Sequence, residues 1–114
     1  QGLRVECGGR LAYIFLRQKD FQECAYEPEE SQDFVEFPLS IKGSQMAMYL
    51  RETKNGNLKI SFRSKTDAIY VDKLAAQFGG GGHSRAAGAV TAGPVEDALS
   101  RVLGASMRAV EDAR

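Results

Sequence analysis

Two segments that alternate apolar and polar residues flank a tight turn, and together they constrain the fold more than any other feature. Residues 46–52 set Met46, Met48 and Leu50 against Ala47, Tyr49 and Arg51, and residues 58–63 set Leu58, Ile60 and Phe62 against Lys59, Ser61 and Arg63. Between them stands Lys54-Asn55-Gly56-Asn57, and Asn-Gly is the strongest short-range hairpin signal. A period of two predicts paired antiparallel strands, since successive side chains point to opposite faces. One face then carries Lys59, Ser61 and Arg63 and leads toward Ser64 and Lys65. Met46, Met48, Tyr49 and Phe62 are assigned to the core.

The other elements follow from period and punctuation. Residues 10–16 (RLAYIFL) follow Gly8-Gly9 and read as a buried strand, with a shorter strand before it at residues 3–6. Residues 19–37 mix acids with Phe21, Ala25, Tyr26, Phe34, Val35 and Phe37, and Pro28 divides them into two short helices. Val71, Leu74, Ala75 and Phe78 recur at helical spacing, which predicts a one-sided helix ending at Gly79. Residues 88–91 read as a short strand. Gly93-Pro94 opens a last helix, with proline in its first turn and Glu96 and Asp97 at the positive end of its dipole. Val95, Leu99, Val102, Met107 and Val110 form its apolar stripe, Gly104 weakens it by about 1 kcal/mol relative to alanine, and Arg114 suits its C-terminus. The expected class is α/β, a single domain over residues 1–114 with a mixed four- to five-stranded sheet flanked by helices. A right-handed crossover through the helix at 71–78 would bring the following glycines to the sheet's edge beside Arg63.

A chain of 114 residues is one domain, and it buries about 65% of its unfolded surface without needing a metal or disulfide. With 43% hydrophobic and 26% charged residues it is not disordered, and no run approaches the roughly 20 apolar residues of a membrane span. Cys7 and Cys24 are too few and too isolated for a disulfide scaffold or a metal site, which favours a reducing, cytoplasmic setting. The chain begins Gln1-Gly2 without methionine or a signal peptide, and reads as a processed product or a fragment of a longer protein. Its 15 basic and 15 acidic residues balance, but unevenly along the chain: residues 19–36 carry a net −6 and residues 51–65 a net +4. These segments are either two solvated faces or, for the second, a basic patch that attracts phosphates.

The unusual stretch is Gly79, Gly80, Gly81 and Gly82, followed by His83, Ser84 and Arg85 and then Ala86-Ala87-Gly88. Four glycines permit close backbone approach, and their successive N–H groups can form a nest for an anion. His83, Ser84 and Arg85 can all donate to phosphate oxygens. The plainer reading is a loose tether, with His83 capping the preceding helix.

GGGGHSRAAGA, preceded by KISFRSKTDAIYVDKLAAQF and DFVEFPLSIKGSQMAMYLRE, closely resembles the DHH-associated domain, the C-terminal substrate-binding domain of the DHH phosphoesterases. The likeness runs from about residue 10 into the last helix. Within the family it is similar to the bacterial bifunctional oligoribonucleases, or nanoRNases, that also dephosphorylate 3′-phosphoadenosine 5′-phosphate. Single-strand-specific exonucleases and cyclic-dinucleotide phosphodiesterases share the architecture with weaker similarity.

The resemblance implies that Gly79, Gly80, Gly81, Gly82 and His83 contact substrate phosphate and sugar. Arg63 and Ser64 would approach the nucleotide from across the cleft, and Arg85 and Lys65 are weaker candidates. It implies a function of holding nucleotides or short single-stranded RNA or DNA, with the hydrolysis done by an N-terminal DHH domain of the same chain that carries two divalent metals, usually Mn²⁺. No catalytic or metal-binding residue is assigned here, because His83 is the only histidine and no Asp-His-His motif occurs. The fragment alone is therefore expected to be inactive, with no membrane partner; a homodimer is compatible with the sequence. Two alternatives remain open. One is a non-catalytic RNA-binding module like the C-terminal domain of alanyl-tRNA synthetases, against which the balanced charge argues. The other is an interaction domain whose glycine loop packs on its own parent.

Overall fold

The computed structural model describes residues 3–18 and 42–113, so the two helices expected within 19–37, Cys24 and Arg114 lie outside the described residues. The strands are β1 (Leu3–Glu6), β2 (Leu11–Leu16), β3 (Met46–Glu52), β4 (Leu58–Ser64), β5 (Gly81–Gly82) and β6 (Ala86–Thr91); the α-helices are α1 (Val71–Ala76) and α2 (Val95–Asp112). One sheet runs β1-β2-β3-β4-β6-β5, and it is mixed, with β2 and β3 parallel and every other neighbouring pair antiparallel.

The Asn55-Gly56 hairpin forms as expected, pairing Met48 with Phe62 and Leu50 with Ile60. Six strands replace the expected four to five because the glycine run itself supplies β5. Two glycines carry no side-chain pattern and little intrinsic strand preference, so only their pairing with β6 makes them a strand. β6 also begins two residues earlier than its pattern suggested, at Ala86. Since β4 and β6 are antiparallel neighbours, the connection through α1 runs from β4 to β5, which lies parallel to β4 beyond β6.

Strict alternation in β4 buries Leu58, Ile60, Phe62 and Ser64 and leaves Lys59, Ser61 and Arg63 half-buried on the other face. The apolar face joins Leu11, Met46, Met48, Ala87 and Ala89 in the main core, where both helices pack through Val71, Leu74, Ala75, Val102 and Val110. On the opposite face Ala47 and Tyr49 are also buried, with Ile14 and Leu16 against them. All four residues assigned to the core, Met46, Met48, Tyr49 and Phe62, are at most 2% exposed.

The buried stripe of α2 is Val95, Ala98, Val102, Ala105, Ser106 and Val110, with Leu99 and Met107 at its margin. Val95, Val102 and Val110 of the expected stripe are buried, but Ala98, Ala105 and Ser106 join them inside while Leu99 and Met107 are only partly buried. Pro94 is the N-cap of α2 rather than a residue of its first turn.

Arg10 fastens the other end of α2. Its guanidinium donates to the carbonyl of Val110 at 2.9 Å and to that of Cys7 at 3.2 Å, and it pairs with Glu111 at 3.7 Å. Val110 O already accepts from Ala113 N–H at 3.2 Å, so the cation adds a second, charge-assisted bond at the negative end of the helix dipole. Arg10→Ala is expected to lower stability by about 1.5–3 kcal/mol, the range for hydrogen bonds from charged groups, in urea denaturation with an unchanged m-value.

Candidate functional site: a groove floored by glycine and alanine

The four glycines have different structural reasons. Gly79 has φ +82° and ends α1 in a Schellman motif: its N–H donates to Ala76 O at 3.2 Å and that of Gly80 to Ala75 O at 2.9 Å. A Cβ on Gly80 would lie 2.0 Å from the Gly88 carbonyl oxygen, and one on Gly82 would lie 2.6 Å from Ala86 O. These two let the chain approach β6. A Cβ on Gly81 would meet nothing within 4 Å. The run is therefore neither a nest of four free donors nor a loose tether, because its amides are drawn into a helix cap and a hairpin.

That hairpin closes at His83, whose N–H donates to Ala86 O at 2.7 Å while Ala86 N–H donates to His83 O at 3.2 Å. Antiparallel alternation then makes Gly82–Ala87 a non-hydrogen-bonded pair and turns the Gly82 N–H toward the open edge of the sheet. The tip is held from two sides, by Ser64 N–H on Arg85 O and Val71 N–H on Ser84 O, each at 3.0 Å. Arg85 adds an exposed ion pair with Asp67 at 2.5 Å, of a kind that contributes little to stability and that a competing anion can displace.

Register sets which side chains share the site. Arg63 pairs with Ala86, Ser61 with Gly88 and Lys59 with Val90, while Gly81 pairs with Gly88. These residues share one face, where they bound an open groove of about 490 Å³. Lys59 and Arg63 stand four residues apart along one side, roughly 13 Å by strand rise. Gly81 and Gly82 form the other side, and Ala86 and Gly88 keep the floor low. The groove's cations lie opposite a run of backbone, a geometry suited to a phosphate or sugar that needs charge from one side and close approach on the other.

Of the residues singled out in the sequence, Arg63, Gly81 and Gly82 line this groove. His83 is exposed at its end, across the hairpin from Ala86 and thus on the face of Arg63; the two do not lie on opposite sides of the domain. Gly79 and Gly80 serve the cap and the approach to β6. Ser64 lies on the other face of β4: it is 6% exposed, and its hydroxyl donates to Thr66 O at 2.8 Å and accepts from Thr66 N–H at 3.2 Å. Its hydroxyl shapes the turn after β4 and does not reach the groove. Lys65 and Arg85 are exposed near the tip. Arg63 Nη1 also donates to Phe62 O at 2.9 Å.

Lys59 and Ser61 line the groove but were not singled out as site residues, although their period-two relation to Arg63 was visible in the sequence. Among the described residues no group of three or more His, Cys, Asp or Glu side chains could hold a metal, so a two-metal centre does not fit the residues present. The Cys7 thiol is pushed up by burial and then by Glu111, which keeps it protonated and a poor nucleophile at neutral pH. Among the described residues no helix is long and apolar enough to cross a membrane.

Among the described residues, then, a mixed sheet carries both helices on one face and a glycine-floored groove on the other. The chain belongs to the DHHA1 domain family, which matches residues 8–111. Over 82 residues it is 38% identical to the bifunctional oligoribonuclease and PAP phosphatase NrnA of Thermus thermophilus, covering 71% of this chain and 25% of that protein. A crystal structure of an exopolyphosphatase-related protein from Bacteroides fragilis superposes with a TM-score of 0.79 at 32% identity, covering 96% of this chain and 31% of that one. The C-Ala domain of Aquifex aeolicus alanyl-tRNA synthetase has the same fold, with a TM-score of 0.62 at 16% identity over 87% of this chain and 88% of that one. The chain thus spans about a quarter to a third of the length of the first two.

Proposed function

We propose that this chain is the substrate-holding domain of a cytoplasmic DHH-type phosphoesterase, an oligoribonuclease or 3′-phosphoadenosine 5′-phosphate phosphatase. It grips the phosphate and sugar of a nucleotide or short single strand while a DHH domain of the same protein, bearing two Mn²⁺ ions, hydrolyses it. The observation that carries this reading is the groove in which Lys59 and Arg63 face Gly81 and Gly82, with His83 at its end. Membership of the DHHA1 family and the 38% identity to a nuclease and phosphatase that acts on such substrates support it. In this arrangement Arg63 and His83 supply charge-assisted hydrogen bonds and the side-chain-free Gly81 and Gly82 allow close approach, which position the substrate without transferring a proton.

The test is a titration of the chain with adenosine 5′-monophosphate and the dinucleotide pApA, read by amide NMR. Shifts at Gly81, Gly82, Lys59 and Arg63 are expected, and Arg63→Ala should weaken binding about 10- to 150-fold, from the 1.5–3 kcal/mol of a charged hydrogen bond. Binding that leaves these amides unmoved, or that survives Arg63→Ala, would overturn the assignment. The likeness to the alanyl-tRNA synthetase C-Ala domain gives a second reading, an RNA-binding module for folded RNA. It predicts affinity for tRNA that falls steeply with salt, whereas a groove for one or two phosphates predicts a shallow slope.

A further inference from the structure

Beyond the hairpin tip stands an aromatic side chain that neither the core nor the groove uses. Tyr70 is 49% exposed, the one aromatic among the described residues that is exposed. It immediately precedes Val71, whose N–H donates to Ser84 O, so its backbone lies one hydrogen bond from the turn that carries His83. The Lys73 ammonium sits 4.8 Å from the centroid of the ring. With half the residue open to solvent, that cation covers one side of the ring and leaves surface for a second planar group.

Cations outnumber acids at this end. Arg63 pairs across the sheet with Ala86 beside the turn and Lys73 sits on the ring, while Arg85 engages Asp67 and Asp72 turns one carboxylate oxygen into the protein. An exposed apolar ring with a cation on it, next to the residue whose N–H holds the turn between His83 and Arg85, has the composition of a single-strand stacking platform. A protein partner would also cover an exposed tyrosine, but it would not call for cations gathered around the ring and the turn.

We propose that Tyr70, backed by Lys73, stacks the base of the nucleotide next to the one whose phosphate lies between Arg63 and His83. The platform makes this domain select substrates with a base at that position, whatever its identity, because every base offers a π-face. Dinucleotides and longer single strands then bind better than the sugar phosphate alone. This rests on the groove being the phosphate site.

The experiment compares the chain with its Tyr70→Ala, Tyr70→Phe and Arg63→Ala variants, titrated with pApA and with ribose 5-phosphate. Tyr70→Ala is expected to weaken pApA about 5- to 150-fold, the range base–aromatic stacking supports. It should leave ribose 5-phosphate unchanged, while Tyr70→Phe binds as the parent does and pApA shifts the Tyr70 ring protons upfield. Tyr70→Ala binding pApA as tightly as the parent, with Arg63→Ala deficient, would overturn the platform and leave the groove standing. Tyr70→Ala weakening both ligands equally would overturn it too, since the residue would then shape the turn rather than stack. If the parent chain binds neither ligand, or Arg63→Ala binds both normally, the groove reading itself fails and the platform with it. Thermal melts of each variant separate these outcomes from unfolding.

Discussion

Alanine at Gly80 is expected to lower the melting temperature by roughly 10–20 °C, whereas alanine at Gly81, its immediate neighbour, leaves it within a few degrees of the parent. The new Cβ at Gly80 would sit 2.0 Å from Gly88 O and 2.6 Å from the Ala89 Cβ, both fixed in or on β6, so neither can swing aside. The overlap can be relieved only by parting β5 from β6, and overpacking of this severity costs at or beyond the upper end of about 1–3 kcal/mol. At Gly81 the same methyl meets nothing within 4 Å, and the lost chain flexibility slightly favours the folded state. Its cost falls on function. Gly81 lines the groove, so if the groove holds the nucleotide as proposed, the methyl takes up ligand space, and binding of adenosine 5′-monophosphate should weaken about 10-fold or more while the fold persists. Thermal melts and titrations of the two variants check both halves. If Gly81→Ala binds normally, the groove is not where the nucleotide lies.

A second pair of neighbours divides in the same way. Phe62→Ala is expected to destabilise the chain by about 3–5 kcal/mol, a large share of the roughly 5–15 kcal/mol that holds a domain together. Phe62 is fully buried near the middle of the sheet, opposite Met48 on β3 and Ala87 on β6. Its neighbours are held by two ladders and cannot collapse into the void. Arg63→Ala, one residue on, is expected to cost only about 1–2 kcal/mol, because the side chain lies half-buried on the other face, where it donates to Phe62 O at 2.9 Å and fills no part of the core. Urea denaturation should show the first effect as a fall in midpoint at an unchanged m-value. An Arg63→Ala loss as large as that of Phe62→Ala would mean that the arginine is structural.

The contrast between Phe62 and Arg63 was legible in the sequence, since alternation is a local property that a single strand displays by itself. So were the hairpin, the helix after residue 70 and the burial of Met46, Met48 and Tyr49. Ser64 came from the family resemblance, which groups it with Arg63, whereas a period of two places it on the opposite face, where its hydroxyl closes the turn to Thr66. Lys59 and Ser61 were equally readable as companions of Arg63. The stripe of α2 was harder, because alanines and a serine give a weak apolar signal, and only packing against the sheet shows that the helix presents its small side.

The sequence by itself determined the described elements other than β5, the two faces of β4 and the family, since all three rest on residue type at fixed spacing. Only the tertiary structure decided what the glycines are for. A run of four identical residues carries no internal pattern, so nothing in it distinguishes the helix cap at Gly79, the contacts at Gly80 and Gly82, and the open position at Gly81. Those differences arise from the end of α1, which sets the cap, and from β6, whose backbone meets Gly80 and Gly82 and leaves Gly79 and Gly81 clear. The pairing of Gly81 and Gly82 with residues 87 and 88 closes a short hairpin, but the docking of that hairpin on β4 joins residues more than twenty positions apart. Contacts at that separation depend on shape and on the entropy of closing the chain, which local residue patterns do not encode.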